Sequence, residues 1–273
     1  MGKKYNAVLT IAGSDSGGGA GIQADIKSIS ANGAYAASVI TATTAQNTLG
    51  VSDIHGIPVA HIEKQLEAVL SDIAFGAVKI GMLHSAEVIE IVAKKLEAYG
   101  MKKIIVDPVM VATSGDRLLS KEAIERLRSF LPSVYLVTPN IPEAEILLGR
   151  EISLQTLEAS AKELGEKFNT SVLLKGGHLA LQEQMTDMLY LKDEQRLVTI
   201  HNPTIKTNHT HGTGCSLSSA IATYVALGYS LEASVIRGCG YVNRAIEQGR
   251  EMVLGRGNGP VNHFGFGVST LED

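Results

Sequence analysis

Two glycine-rich segments carry the residues of this sequence that could gather negative charge. Residues 11–27 read IAGSDSGGGAGIQADIK, and residues 208–216 read NHTHGTGCS. In each segment we expect the glycines to expose backbone N–H groups at the beginning of a helix, where the amides and the helix dipole attract anionic or polar groups. The sequence contains no G-x-x-x-x-G-K-S/T loop. The second segment can nevertheless form a related concavity of amides that would stabilise a transferred phosphoryl group.

Cys215 is the candidate catalytic side chain of the second segment. It belongs to the first turn of the predicted helix, where the N-terminus can lower the pKa of a thiol. A thiolate there could accept the proton of an attacking hydroxyl. A small buried residue that packs the loop is the alternative, and the residue pattern leaves both open.

The first segment contains a dinucleotide-like pattern, G-x-G-x-x-A, at residues 19–24. That fingerprint also requires an acidic residue about 20 positions further on, to hold the ribose. No Asp or Glu occurs between Asp25 and Asp53, which disfavours an NAD site. We expect a substrate-binding loop, with a tight turn that binds no ligand as the alternative.

Further polar residues follow short apolar runs. Asp107, Asn140 and Glu143 could together hold hydrated Mg²⁺, which prefers oxygen ligands, and Lys175 could meet phosphate as a point charge. Helix capping and surface solvation are the alternatives for these residues. The eight histidines include no H-E-x-x-H pattern and the two cysteines have no metal-ligand spacing, so we expect no zinc site.

These residues need strands and helices to position them, and the sequence predicts a mainly parallel sheet. Short runs rich in Val and Ile that barely alternate in polarity are typical of strands buried on both faces. The runs are residues 7–12, 36–42, 77–80, 103–106, 134–137 and 172–174. Asp107 and Lys175 therefore fall at carboxyl ends of strands, where open α/β sheets bind ligands.

Helical patterns separate these runs. Ser85 and Ser120 are predicted N-caps, Gly100 and Gly228 are predicted helix ends, and residues 216–227 form a predicted helix after the second glycine segment. Antiparallel pairing is expected in a late hairpin and in one extra strand after a loop. These stretches are residues 187–191 with 197–201, and residues 51–57 after the loop 44–50. Strands alternate with helices without a linker or repeat, which favours one α/β domain over residues 1–273.

Composition limits the partners and the location. The formal net charge of −4 gives no broad basic face for nucleic acid or anionic lipid. Two cysteines do not make a disulfide framework and fit a reducing compartment. No run approaches the roughly 18 apolar residues of a membrane span, and the first residues do not resemble a signal peptide. We expect a soluble, cytoplasmic protein.

Eight segments in order resemble one family, the hydroxymethylpyrimidine/phosphomethylpyrimidine kinases of the ribokinase superfamily. The segments are residues 12–27, 44–51, 79–83, 106–119, 138–149, 173–178, 208–220 and 257–264. The resemblance implies a ribokinase-like three-layer α/β/α sandwich with a mainly parallel central sheet. It implies two transfers from ATP with Mg²⁺, first to 4-amino-5-hydroxymethyl-2-methylpyrimidine and then to its monophosphate, in thiamin biosynthesis. It also suggests a homodimer.

The same resemblance assigns roles to individual residues. It implies an anion hole at Gly212, Thr213 and Gly214, with Cys215 as the base and Lys175 near the phosphates. The remaining assignments fall into three groups. The pyrimidine pocket would be Gly13, Ala20, Asp25, Gln46, Met82 and Val109; the nucleotide site would include Asn140, Lys175, Thr207, Gly212 and Gly214; the acidic groups near magnesium would be Asp107 and Glu143.

Two other functions compete with this one. A pyridoxal or pyridoxine kinase of the same superfamily would share the fold and the anion hole, but Gln46 favours the pyrimidine kinases. A non-catalytic ligand sensor would have no need for the groups that transfer phosphate. One departure from the family pattern is Asn262, where the tail motif commonly has a histidine before His263, and it affects only contacts made at that position.

Overall fold

The computed structural model describes residues 4–110, 119–177 and 184–265, and these residues form a nine-stranded sheet with helices on both faces. The strand order is β3-β2-β1-β4-β5-β6-β7-β8-β9. The strands are β1 Ala7–Asp15, β2 Tyr35–Asn47, β3 Gly50–Gly56, β4 Ala77–Ile80, β5 Ile104–Val106, β6 Leu136–Val137, β7 Ser171–Leu174, β8 Gln184–Leu191 and β9 Arg196–Pro203. The pairs from β2 to β7 are parallel, and antiparallel strands flank them on both sides. The predicted fold class is confirmed.

Successive residues of the central strands face opposite layers. On β1, Leu9 and Ile11 belong to one apolar cluster while Val8 belongs to the other. The helices are α1 Gly21–Ala31, α2 Val59–Leu70, α3 Ala86–Ala98, α4 Lys121–Phe130, α5 Ile141–Leu148, α6 Leu157–Phe168, α7 Thr213–Ala226 and α8 Leu231–Gly249. Helices α2 to α6 contribute to the first cluster, and α1, α7 and α8 contribute to the second. The strands are thus buried on both faces, as their near-continuous apolar runs predicted.

The predicted helix caps are confirmed at two helices. Ser85 accepts the N–H of Val88 at 3.3 Å, and Ser120 accepts the N–H of Ala123 at 3.2 Å. Gly100 and Gly228 follow α3 and α7 with φ of +67° and +92°. In the part of the chain that the structure describes, no helix is long and apolar enough to cross a membrane.

Two predicted boundaries are wrong. Helix α7 begins at Thr213 rather than at residue 216, because Gly212 adopts φ +83° and forms the N-cap. The predicted loop 44–50 is largely strand, because β2 continues to Asn47 and pairs with β3 as far as Gly50. Residues 111–118 and 178, which belong to two of the family-like segments, lie outside the described residues.

Candidate active site

The carboxyl ends of the parallel strands bring the predicted polar residues to one edge of the sheet. Asp15 ends β1, and Asp107 directly follows β5. Thr138 and Lys175 directly follow β6 and β7. Parallel strands end on the same side of a sheet, so these four residues share an edge, where ligands bind in open α/β folds.

The first turn of α7 lies against this edge. A Cβ built on Gly214 would stand 3.2 Å from Asp107 Oδ2 and 3.6 Å from Lys175 Nζ. The second glycine loop therefore contacts both side chains, as its predicted role in phosphate binding requires. Lys175 Nζ and Asp107 Oδ1 form an ion pair of 3.1 Å, and Thr138 Oγ1 donates to the same oxygen at 3.3 Å.

Charge is concentrated and poorly hydrated around this ion pair. Burial raises the pKa of Glu143 to about 7, with Lys175 opposing the rise and the negative charge of Asp107 adding to it. Burial would lower the pKa of Lys175, but the carboxylates of Asp107 and Glu143 outweigh it and raise that pKa. Two carboxyl groups that repel each other beside one lysine would be stabilised by a further cation.

Asn140 and Glu143 also cap a helix, which was the alternative role open to them. The Asn140 side chain accepts the N–H of Glu143 at 3.0 Å, and the Glu143 side chain accepts the N–H of Asn140 at 2.9 Å. This reciprocal pair is a capping box at the start of α5. The capping box fixes both side chains beside Lys175, since the backbones of Asn140 and Lys175 form an isolated parallel β-bridge.

Cys215 lies in the first turn of α7, between the two glycine loops. The backbone N–H of Gly21 lies near its sulfur and favours the thiolate. The position of Cys215 at the helix N-terminus suggested a lowered thiol pKa, and the structure contradicts that expectation. Burial of the sulfur raises the pKa of Cys215 to about 11, although Lys79 opposes the rise. The thiol therefore holds its proton at neutral pH.

Asp25 is buried, and groups of the protein surround its carboxylate. Oδ1 accepts from Lys79 at 2.7 Å and from Ser219 at 2.8 Å, and Oδ2 accepts from Thr10 at 2.6 Å and from Lys79 at 2.8 Å. These bonds fill the four lone-pair positions of a carboxylate. Asp25 thus joins α1, β1, β4 and α7, and its contact with the pyrimidine stays a prediction.

Asp15 organises the first glycine loop. Its carboxylate accepts the backbone N–H groups of Gly17 at 2.8 Å, Gly19 at 3.1 Å and Ala20 at 2.8 Å. Burial would raise the pKa of Asp15, but hydrogen bonds from His211, Ala20 and Gly17 outweigh it and lower the pKa to about 2. The loop is thus folded around a permanent negative charge.

His211 connects this loop to the second one. Its Nε2 lies 2.9 Å from Asp15 Oδ2 and 3.3 Å from Gln46 Nε2. A Cβ on Gly212 would collide with the carbonyl oxygen of Gly19, so the two loops touch through their backbones. Gln46 and Ala20 are accordingly brought to the junction of the loops.

The remaining predicted pocket residues are distributed around this junction. Met82 Cε would lie 2.7 Å from a Cβ on Gly13, so these two residues are in contact. Val109 lines a small apolar cavity next to Asp107. Thr207 lies further out, where its hydroxyl donates to the Arg250 carbonyl at 3.2 Å and accepts the His209 N–H at 3.0 Å.

Sequence reasoning missed Asp15, His211, Lys79 and Thr138 as parts of the site. Lys79 carried a usable signal, since a lysine inside the apolar run of β4 requires a buried partner. Asp15 lay three residues beyond the predicted run 7–12, and only the extension of β1 to Asp15 places it at a strand end, as Asp107 is. Nothing in the local pattern indicated that His211 would meet Asp15, because 196 residues separate them.

Comparison with known proteins identifies sequence relatives that are kinases of thiamine biosynthesis. The family model described as phosphomethylpyrimidine kinase matches residues 15–262. A hydroxymethylpyrimidine/phosphomethylpyrimidine kinase of Bacillus subtilis (strain 168) is 44% identical over 266 residues, which cover 97% of each chain. The thiamine biosynthesis bifunctional protein ThiED of Geobacter sulfurreducens is 50% identical over 260 residues, and the match spans 94% of this chain but 52% of that longer protein.

Solved structures agree as well. A phosphomethylpyrimidine kinase of Clostridium difficile 630 is 43% identical, with a TM-score of 0.77 over 88% of this chain and 99% of that one. A pyridoxal kinase of Staphylococcus aureus in complex with ADP is 33% identical, with a TM-score of 0.87 over 97% of this chain and 95% of that one. Because the matched residues include both glycine loops and the strand ends between them, the chain belongs to the phosphomethylpyrimidine kinase family.

Proposed function

We propose that this chain transfers phosphate from ATP to the hydroxymethyl group of 4-amino-5-hydroxymethyl-2-methylpyrimidine, and then to the resulting monophosphate, in thiamin biosynthesis. One observation carries the proposal. Gly214 of the second glycine loop lies against Lys175 and Asp107, while Ala20 of the first loop and Gln46 of β2 meet the second loop at Gly212 and His211. The names of relatives at 44% identity over nearly their whole length support the pyrimidine as the substrate.

The phosphates of ATP are the expected ligands of the second glycine loop. Amides at the start of α7 would bind their oxygens, and Lys175 would neutralise charge on the transferring group. A related pyridoxal kinase has been solved with AMP-PCP and pyridoxal, which supports the use of a nucleoside triphosphate. We assign Asn140 and Thr207 to the outer part of the nucleotide site.

Asp107 and Glu143 are the residues that would hold Mg²⁺. Within the described residues, no three His, Cys, Asp or Glu side chains converge as a metal site. Magnesium bound by kinases needs only one or two carboxylates, with water and phosphate oxygens completing its shell. Asp107 and Glu143 fit this coordination, because Glu143 is buried and the negative charge of Asp107 repels it, so a bound cation would relieve both costs. The bound ion would spread the negative charge of the phosphates.

Cys215 is proposed as the group that receives the proton of the substrate hydroxyl. Burial keeps its thiol protonated at neutral pH, with a pKa of about 11. A thiol that holds its proton cannot accept another, so Cys215 acts as the acceptor from its thiolate, which forms when the thiol gives its proton to water. Gly21 N–H and Lys79 are the groups here that favour the thiolate.

The pyrimidine is expected to bind where the first glycine loop meets β2. Gly13 and Met82 would form one wall and Val109 another, while Gln46 reads the polar edge of the ring. An aminopyrimidine has a donor next to an acceptor, and one carboxamide can pair with both. Ala20 leaves room for the ring methyl group at the loop.

A substrate panel tests the function directly. The enzyme would be incubated with ATP and Mg²⁺ and, in separate reactions, the pyrimidine alcohol, its monophosphate or pyridoxal, and products would be identified by mass. We expect the monophosphate and then the diphosphate of the pyrimidine. Faster phosphorylation of pyridoxal would favour the second candidate, which the fold similarity to pyridoxal kinases supports. Binding without formation of ADP would identify a sensor.

We also infer a cytoplasmic homodimer. Strand β3 is the edge of the sheet, and it leaves Val51 and Ile54 exposed together with Leu49 of the preceding turn. A second copy pairing edge to edge would cover these apolar side chains and satisfy the unpaired strand backbone. Light scattering should then give about twice the protomer mass of 28.9 kDa. A monomer at micromolar concentration would refute the dimer.

A further inference from the structure

The carboxamide of Gln46 lies between two polar side chains that restrict its orientation. Gln46 Nε2 is 3.3 Å from His211 Nε2, and Gln46 Oε1 is 3.0 Å from Thr44 Oγ1. The amide oxygen and nitrogen have nearly the same shape, so their positions follow from the hydrogen bonds around them. The hydrogen bonds of His211 and of Thr44 each indicate which atom of the Gln46 amide faces them.

On one side, His211 must present a hydrogen. Asp15 Oδ2 lies 2.9 Å from His211 Nε2, and a carboxylate can only accept. Asp15 is ionised at neutral pH because its pKa is about 2. His211 Nε2 therefore carries a hydrogen in whichever protonation state the ring adopts. An N–H group of Gln46 facing it would set two donors against each other, whereas the amide oxygen would share that hydrogen.

On the other side, Thr44 has a single hydroxyl hydrogen. Thr44 Oγ1 lies 3.0 Å from the Ser14 carbonyl oxygen, which can only accept, and the same distance from Gln46 Oε1. With Oε1 facing Thr44, this hydrogen would be divided between two acceptors and would bond each of them more weakly. If Gln46 Nε2 faces Thr44 instead, the hydroxyl donates to Ser14 and accepts from Gln46. Both contacts thus favour the same orientation of the amide, with Oε1 facing His211 and Nε2 facing Thr44.

His211 is itself held firmly. Its backbone N–H donates to the Gly259 carbonyl at 3.2 Å, and its ring packs so closely on Gly19 that a Cβ there would collide with it. Asp15 is fixed in turn by the three amides of the first glycine loop. The orientation of Gln46 is therefore set by a chain of contacts from Asp15 through His211.

We infer that His211 is a specificity-determining positioning residue, which holds the Gln46 carboxamide with Oε1 towards His211 and Nε2 towards Thr44. The inference rests on the proposed role of Gln46 in pyrimidine binding. The contacts with His211 and Thr44 use one lone pair of Oε1 and one hydrogen of Nε2. Among the described residues, the second lone pair and the second hydrogen are left for a ligand.

The fixed amide would present an acceptor and a donor in one order only. That order matches a ring whose exocyclic amino group donates and whose adjacent ring nitrogen accepts. The 4-oxo analogue of the pyrimidine alcohol reverses both roles, because its exocyclic oxygen accepts and its ring N–H donates. A freely turning amide would accept either molecule, whereas a fixed one would reject the analogue.

Two substitutions of His211 distinguish its hydrogen bond to the Gln46 amide from its contribution to packing. His211→Gln keeps an N–H donor at a similar reach, and His211→Met keeps bulk without a donor. The measured quantity is the ratio of kcat/KM for the 4-amino alcohol to kcat/KM for its 4-oxo analogue, with saturating ATP. We expect the ratio to fall about tenfold or more in His211→Met and to stay within about threefold of wild type in His211→Gln.

A purely structural role for His211 predicts a different result, since both substrates would then lose activity equally and the ratio would not change. That outcome in His211→Met overturns the inference. Wild-type enzyme that phosphorylates neither pyrimidine would contradict the proposed function instead, so the two failures are distinguishable.

The orientation can also be measured in the wild-type protein without any variant. NMR should detect a nuclear Overhauser effect between the Gln46 side-chain N–H protons and the γ-methyl group of Thr44. An effect to the His211 ring protons with none to Thr44 would show the opposite orientation and would overturn the inference.

Discussion

At the scale of single residues, Cys215 is subject to two opposing effects. The start of α7 and the N–H of Gly21 favour a thiolate, whereas removal of the sulfur from water favours the thiol. Burial has the larger effect, and the pKa rises to about 11. An acid with a raised pKa keeps its proton below that value, so the thiolate fraction is small at neutral pH and grows as pH increases.

We predict that Cys215→Ala lowers kcat by about 10²- to 10⁴-fold and leaves the affinity for the pyrimidine alcohol nearly unchanged. Steady-state kinetics and calorimetry measure the two quantities. Iodoacetamide should modify the ligand-free thiol slowly at pH 7, at a rate that still increases at pH 10, because the pKa lies above both. Wild-type turnover in Cys215→Ala would exclude the residue as the proton acceptor.

Cys239 supplies the matched control. Cys239 belongs to α8, where it is buried among apolar residues outside the site. Burial raises its pKa to about 12. Cys239→Ala should retain kcat, and in that background alkylation reports on Cys215 alone. A comparable loss of kcat in both variants would indicate damage to the fold.

At the scale of elements, the N-cap of α7 is the sensitive point. Gly212 combines φ of +83° with direct contact against the Gly19 carbonyl oxygen. A side chain there is strained by the backbone conformation and also pushes the two glycine loops apart. Gly228, at the other end of α7, has φ of +92° but open space around it.

We predict that Gly228→Ala costs about 1 kcal/mol of unfolding free energy, which is the conformational cost alone. Gly212→Ala should cost more than this and should also raise KM for ATP, because the loop amides move. Urea denaturation and kinetics provide the measurements. Equal stability of the two variants would mean that the loops are not in contact in solution.

Several elements could be read from local sequence, and several could not. Ser85 and Ser120 were identifiable as N-caps because capping depends on residues three positions apart. The start of α7 was not, since a glycine in the left-handed region leaves no side-chain signal. The extension of β2 to Asn47 depends on pairing with β3, and a strand pattern that is polar and exposed is easily taken for a loop.

The same distinction holds for the site. Asp107, Lys175 and Gly214 were predictable, because strand ends and a glycine loop converge in this fold class. The burial of Asp25 was not, because its partners Thr10, Lys79 and Ser219 are brought to it by tertiary packing. The assignments of ligand contacts to individual residues, and of a single domain to residues 1–273, stay predictions.

At the scale of the whole molecule, one buried ion pair and its hydrogen-bond partners join elements from both halves of the chain. Lys79 and Asp25 are both inaccessible to solvent, and Asp25 also contacts Thr10 and Ser219. Burial would lower the pKa of Lys79, but Asp25 more than compensates and raises it to about 12. Lys79 therefore stays protonated throughout the physiological pH range.

We predict that Lys79→Met destabilises the protein by about 3–5 kcal/mol, because it leaves the Asp25 carboxylate buried without a counter-ion. The double variant Lys79→Met/Asp25→Asn removes both charges and should recover more than half of that loss. Chemical denaturation of the two variants measures the difference. A double variant as unstable as the single one would show that the charge is not the cause.

This ion pair has a consequence for the order in which the chain is made. Asp25 and Lys79 leave the ribosome early, whereas Ser219, which completes the shell of Asp25, lies 194 residues after it. Until α7 has been synthesised, the half-built sheet exposes a charged pair on the face that α7 will cover. The nascent protein therefore cannot complete this part of its core before α7 has been made, and a truncated product lacking α7 should be a substrate for proteases and chaperones.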